Sequence, residues 1–141
     1  MIKQGDTYKI VMVDDDQDDL FLTKISFRRA GYPVDFIGLK SGVALFDFIK
    51  NQGIGSIDIL LLDINMPVQS GHDILARLKD YPHFGDIKVV MFSTSRMPGD
   101  LTKSFQKGAT DFMVKPSSQA DTESFLDHIG DMLMSEQMAV A

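Results

Sequence analysis

The stretch Ile10-Val11-Met12-Val13-Asp14-Asp15-Asp16 is four apolar residues followed by three acids. A short continuous apolar run of this kind reads as a strand buried on both faces, the signature of a parallel sheet covered by helices. Two further stretches repeat the plan. Ile59-Leu60-Leu61-Leu62 leads into Asp63, and Phe112-Met113-Val114 leads into Lys115-Pro116. In an open α/β sheet the carboxyl ends of the strands lie along one edge, where ligands bind. The pattern therefore gathers acids and a lysine at one place.

Between these stretches the chain alternates strand and helix. Strands are predicted at Ile10–Val13, Val34–Leu39, Ile57–Leu62, Ile87–Phe92 and Asp111–Val114. After the first, Asp16 is placed to cap a helix reaching Arg29, with Asp18 and Asp19 at the positive end of its dipole and Gly31 as its stop. Ser41 caps a second helix carrying Val43, Leu45, Phe46, Phe48 and Ile49. Ser70 and Asp73 form a shortened capping box for a third, which Pro82 and Gly85 are expected to end. Pro98 and Gly99, after Met97, open a fourth reaching Gln106. The fifth covers roughly Asp121 to Met134, and Ser135 to Ala141 are expected to fray. Five β–α units in alternation predict a doubly wound parallel sheet with helices on both faces.

Composition narrows the function. The 141 residues suit one domain, with a core over about 8–134, a short tail and no output domain. An apolar fraction of 44% and a charged fraction of 24% are ordinary for a soluble globular protein. A net charge of −6 argues against general nucleic-acid binding. The absence of cysteine excludes disulfides, thiolate chemistry and cysteine-zinc sites. The polar start, Met1 to Lys9, has no signal core, and no apolar run nears the roughly 20 residues that span a bilayer. These features predict a cytoplasmic protein without membrane contact. His72, His83 and His128 show no ligand spacing and read as surface residues, the nine methionines as core filler or tail, and Phe105, Phe112 and Phe125 as core.

Packed carboxylates such as Asp14, Asp15 and Asp63 repel one another unless a cation or protons intervene. A hard divalent ion resolves the repulsion, and Mg2+ is held by one or two carboxylates together with waters and phosphate oxygens. A carboxylate beside such an ion can also attack phosphorus, giving an aspartyl phosphate. The charge on the transferred group would be met by Lys115 and by a hydroxyl at the end of the fourth strand, Ser93 or Thr94. Taken singly each residue has a plainer reading. Asp14 to Asp16 is as readily a helix cap as a functional cluster, Ser93-Thr94-Ser95 a turn, and Lys115 a solvated lysine. Acid, acid, hydroxyl and lysine in order on four strand ends make coincidence a poor account. Asp14 to Ile25 imitates a calcium loop but has Asp19 where glycine is needed and Ile25 where the closing glutamate belongs. No phosphate-binding glycine loop of either common type occurs.

Over about Tyr8 to Leu133 the sequence resembles the receiver domain of bacterial two-component response regulators. The marks are Val13-Asp14-Asp15-Asp16, Leu61-Leu62-Asp63-Ile64-Asn65-Met66-Pro67, Val90-Met91-Phe92-Ser93-Thr94 and Lys115-Pro116. The acid-rich first loop is similar to that of small stand-alone receivers. The resemblance implies a flavodoxin-like topology and a protein that accepts a phosphoryl group rather than an enzyme turning over a substrate. Asp63 would be the phosphoacceptor. Asp15 and Asp63, the backbone carbonyl of Asn65 and, directly or through water, Asp14 would bind Mg2+. Lys115 would contact the phosphoryl group, with Ser93 and Thr94 beside it, and Phe112 would be the aromatic whose rotamer follows Ser93. The Lys115–Pro116 bond would be cis. The donor would be a sensor histidine kinase or a histidine phosphotransfer protein. Output would pass to an unknown protein partner, without nucleic acid, from a monomer or weak homodimer. Two rivals are a phosphorylation-independent interaction module on the same fold and a haloacid-dehalogenase-type phosphatase. The second requires an Asp two residues after the nucleophile, where Asn65 stands.

Overall fold

Each apolar run becomes a strand of one parallel sheet in the computed structural model, which describes residues 7–94 and 98–140, with the side chains of 98 and 134–140 excepted. The strands are β1 (Tyr8–Val13), β2 (Val34–Leu39), β3 (Ile59–Asp63), β4 (Lys88–Ser93) and β5 (Asp111–Val114). Helices α1 (Gln17–Ala30), α2 (Gly42–Gln52), α3 (Gly71–Leu78), α4 (Pro98–Gln106) and α5 (Gln119–Val140) alternate with them. The spatial order is β2-β1-β3-β4-β5, all neighbours parallel. This is the doubly wound, flavodoxin-like arrangement expected from the sequence.

The central strands β1, β3 and β4 are buried on both faces, and residue parity divides them between two cores. Val11, Val13, Leu60 and Leu62 join Leu45 and Ile49 of α2 and Ile74, Leu75 and Leu78 of α3. Ile10, Met12, Ile59 and Leu61 point the other way, to Leu20 and Phe27 of α1 and Phe125, Leu126 and Ile129 of α5. Phe27 centres the second core, its ring 5.9 Å from Phe125 and 6.2 Å from Tyr32.

The caps lie where the sequence puts them. Asp16 accepts from the Asp18 amide, Ser41 from Ala44 and Ser70 from Asp73, and Gly31 closes α1 with φ 78°. Several boundaries shift by a residue or two, and three of the differences are informative. β3 begins at Ile59 rather than Ile57, because a 3₁₀ turn (Ile54–Ser56) precedes it and the Asp58 side chain accepts from the Lys9 amide at the strand's entry. α3 ends at Leu78, four residues before Pro82, since Tyr81 precedes a proline and His83 takes a left-handed φ of 68°. α5 runs on to Val140, through a stretch holding no Gly or Pro to stop it. Met97, expected beside the start of α4, lies outside the described residues.

Candidate functional site

The strand ends meet on one edge. Asp63 is the last residue of β3 and is 2% exposed; Asp14, directly after β1, is 0% exposed. Local backbone fixes both carboxylates. The Asp16 amide donates to Asp14 Oδ1 and the Asn65 amide to Asp63 Oδ1, each at 2.9 Å. Gly71, the first residue of α3, packs directly on this strand end. A Cβ there would lie 2.5 Å from the Asp63 carbonyl oxygen, so only glycine permits the approach. Oxygens of Asp14, Asp15 and Asp63 lie within 4.8 Å of one another, with Asp15 exposed to solvent.

Lys115 follows β5, and its amide donates to the Ser93 carbonyl at 2.8 Å, extending the β4–β5 pairing. Its Nζ lies 2.8 Å from Asp14 Oδ2, 3.0 Å from Asp19 Oδ2 and 3.3 Å from Asp63 Oδ2. The contacts to Asp19 and Asp63 are hydrogen bonds. The contact to Asp14 is an ion pair without hydrogen-bond alignment, which leaves Asp14 Oδ2 a buried oxygen with a counter-charge but no aligned donor. The Lys115–Pro116 bond is trans, which corrects the cis expectation. Trans is the lower-energy form of an X–Pro bond by about 0.5–1 kcal/mol, and the lysine reaches its carboxylates from it.

Burial pushes the Asp14 carboxyl up to about 6; the charge of Asp63 adds to this, while Lys115 and the Asp16 amide oppose it. Burial acts to lower the Lys115 ammonium, but Asp14, Asp19 and Asp63 outweigh it and hold the lysine above its ordinary range, fully charged. Three carboxylates thus surround one ammonium, and Asp15 lies close to two of them. That excess of negative charge, the mutual approach of three carboxylates and the unaligned Asp14 Oδ2 suit a hard cation with oxygen ligands. The donor set fits Mg2+.

Ser93, the last residue of β4, is completely buried. Its hydroxyl donates to Asn65 Oδ1 at 3.1 Å, and the exposed Thr94 donates its amide to the same oxygen at 3.4 Å. Phe112 is half-buried against the α2/α3 core and lines a groove of about 700 Å3 with Leu101, Met113, Phe125 and His128.

The family model for the response regulator receiver domain matches residues 10–127. The chain belongs to this family. The receiver is 29% identical over 126 residues to a two-component response regulator-like protein of rice, PRR37, covering 89% of this chain and 17% of that protein. It therefore spans about a sixth of that relative's length. It superposes on the phosphorylated cyanobacterial phytochrome response regulator RcpA with a TM-score of 0.78 at 23% identity, covering 92% of this chain and 96% of the other, a likeness of fold. The Mn2+-bound form of the response regulator Rcp1 gives a TM-score of 0.71 at 25% identity, covering 86% and 91%.

Three side chains depart from their sequence reading. Asp19, taken for a helix-dipole residue, sits in the receiver's site on Lys115. His72 is 3% exposed rather than a surface residue, with Nε2 2.8 Å from Ser104 Oγ of α4. That hydroxyl donates to the Asp100 carbonyl, so the imidazole must donate to it, and His72 carries its proton on Nε2. Phe105, read as core, is 47% exposed, because α4 turns the neighbouring Ser104 inward instead. Phe125 is core as expected, and His83 and His128 are exposed, paired with Asp86 and Asp111. Among the described residues no helix is long and apolar enough to cross a membrane.

Proposed function

We propose that this receiver takes a phosphoryl group onto Asp63 from a histidine of a sensor kinase or a phosphotransfer protein, in a Mg2+-dependent reaction. The observation that carries the reading is the Lys115 ammonium 3.3 Å from Asp63 Oδ2, beside the cluster of Asp14, Asp15 and Asp63. An Asp63 oxygen forms the bond to phosphorus as the donor's bond to phosphorus breaks, and the electron pair leaves with the donor. Asp14, Asp15, Asp63 and the backbone carbonyl of Asn65 would hold the ion. When bound, Mg2+ supplies charge neutralisation for the phosphoryl oxygens. Lys115 supplies a fixed positive charge without reorganising far, since it already faces Asp63.

The protein is a phosphoacceptor rather than a turnover enzyme. Ser93 would exchange its bond to Asn65 Oδ1 for a phosphoryl oxygen, with Thr94 beside it, and Phe112 would follow into the space Ser93 leaves. The added charge shifts the population of conformers at the α4–β5–α5 face. Output passes through contact with another protein or by relay to a further histidine, in the cytoplasm, from a receiver that is monomeric or weakly dimeric. The test is incubation with acetyl phosphate and Mg2+ followed by intact mass. One phosphoryl group should add to the wild type and none to Asp63→Asn. An unlabelled wild type, or equal labelling of the variant, would refute the assignment.

A further inference from the structure

Lys115 shares its ammonium with a residue that the phosphoacceptor set does not require. Asp19 Oδ2 accepts from Nζ at 3.0 Å, a shorter hydrogen bond than the one to Asp63 at 3.3 Å. The bond joins α1 to the end of β5 across 96 residues of chain. Asp19 is not needed to cap α1, because Asp16 accepts from the Asp18 amide and does that work. The lysine is only 17% exposed and Asp19 36%, so the pair is partly screened but not fully solvated. A small recess on the α1 side, with Asp19, Thr23 and Lys115 at its polar part and Met12, Leu22 and Phe92 at its apolar part, gives the ammonium room to sit away from Asp63.

An ammonium has three protons to donate. Around Lys115 they face three carboxylates, and only Asp19 and Asp63 are aligned to receive them. A phosphoryl group on Asp63 would bring close to two negative charges and three strong acceptor oxygens to the same spot. Every proton that Lys115 then gives to phosphate is one it withdraws from a carboxylate. Asp14 and Asp63 stand at the strand ends, where the phosphoryl group would arrive. Asp19, on a separate helix, is the partner left behind.

We infer that Asp19 is a positioning residue that draws Lys115 towards α1 and competes with the phosphoryl group for it, thereby setting how readily the phosphorylated state forms. The inference rests on the reading of Asp63 as phosphoacceptor. It adds a second tether that holds the lysine back in the unmodified protein. Loss of the Asp19 charge frees the ammonium for phosphate and favours the modified state.

The test compares wild type with Asp19→Asn, Asp19→Glu and Asp18→Asn at saturating Mg2+, with acetyl phosphate as the donor. Intact mass gives the donor concentration for half-maximal labelling, and NMR of the Lys115 side-chain ammonium reports the lysine directly before any donor is added. For Asp19→Asn the half-maximal concentration should fall roughly threefold to fivefold, the scale of a partly exposed ion pair, and the Lys115 resonance should move. Asp19→Glu, which keeps the charge, should restore both at least in part. Asp18→Asn makes the same change in net charge on the same turn, and should leave the half-maximal concentration within about a factor of two. An unchanged or raised half-maximal concentration in Asp19→Asn, an unmoved Lys115 resonance, or an equal effect from Asp18→Asn would each overturn the inference. An unlabelled wild type would instead overturn the phosphoacceptor reading on which it rests.

Discussion

Replacing Asp14 with Asn should make the metal-free protein gain stability, relative to wild type, as pH rises. Asp14 is 0% exposed, and burial lifts its carboxyl from an ordinary 3.8 to about 6 even with Lys115 at 2.8 Å. A group whose folded pKa is raised binds more protons in the native state than in the unfolded one between those two values. Stability must therefore fall as pH rises from about 3.8 to about 6, and stay low above it. At 1.36 kcal/mol per pKa unit the full penalty is about 3 kcal/mol, of which about 2–3 kcal/mol accrues between pH 4 and pH 8. Asn carries no charge at any pH and escapes this part of the titration. It has its own fixed cost, since Oδ1 and Oδ2 of Asp14 both face donors and the Asn amide must point one N–H2 group at one of them. That cost does not vary with pH. Urea unfolding in EDTA at pH 4, 5, 6, 7 and 8 would give the difference in unfolding free energy between variant and wild type. The difference should shift by about 2–3 kcal/mol in favour of Asn, mostly below pH 7. A flat difference, or a shift in favour of wild type, would refute the claim that Asp14 is held ionised at a cost. The cost has a functional reading, because a carboxylate destabilised in this way gains most from a cation. Mg2+ should accordingly raise the wild-type unfolding midpoint more than that of Asp14→Asn.

Two other perturbations test the frame around the site. Burial lowers the pKa of His72, so the folded protein holds it neutral; its contribution is complete above pH 6.5 and is lost as pH falls below that value. NMR titration should give a pKa below 6.5 and a neutral ring protonated on Nε2, and a pKa at or above 6.5 would contradict the buried bond to Ser104. Gly71→Ala places a methyl group 2.5 Å from the Asp63 carbonyl oxygen, against backbone that cannot swing aside. It should cost on the order of 1–3 kcal/mol in urea unfolding and slow labelling of Asp63, whereas unchanged stability and labelling would show that α3 is not seated as described.

Much of the fold was legible because its signals are local. Continuous apolar runs such as Ile59-Leu60-Leu61-Leu62, short and bounded by turn residues, suit strands buried on both faces, and Asp16, Ser41 and Ser70 cap helices through bonds two or three residues away. The site was legible for a similar reason. Asp14, Asp63, Ser93 and Lys115 each end a strand or directly follow one, and parallel strands bring such ends to one edge. Asp19, His72 and Phe105 were misread because each lies on a helix, where the spacing says which residues share a face but not what that face meets. Asp19 meets a lysine 96 residues away, and His72 a serine on α4.

By itself, then, the order of apolar runs, caps and charged strand ends determined the class of fold, the edge that carries the site and the residues gathered there. These depend on hydrophobic periodicity and backbone hydrogen bonding, which act over a few residues. Only the tertiary structure decided how the charges are shared. It buried Asp14 and left Asp15 exposed, gave the Lys115 ammonium to Asp19 as well as Asp63, kept the Lys115–Pro116 bond trans and turned the Ser93 hydroxyl to Asn65. Electrostatic energies vary with distance and with burial, and both are properties of how distant segments pack rather than of any segment alone.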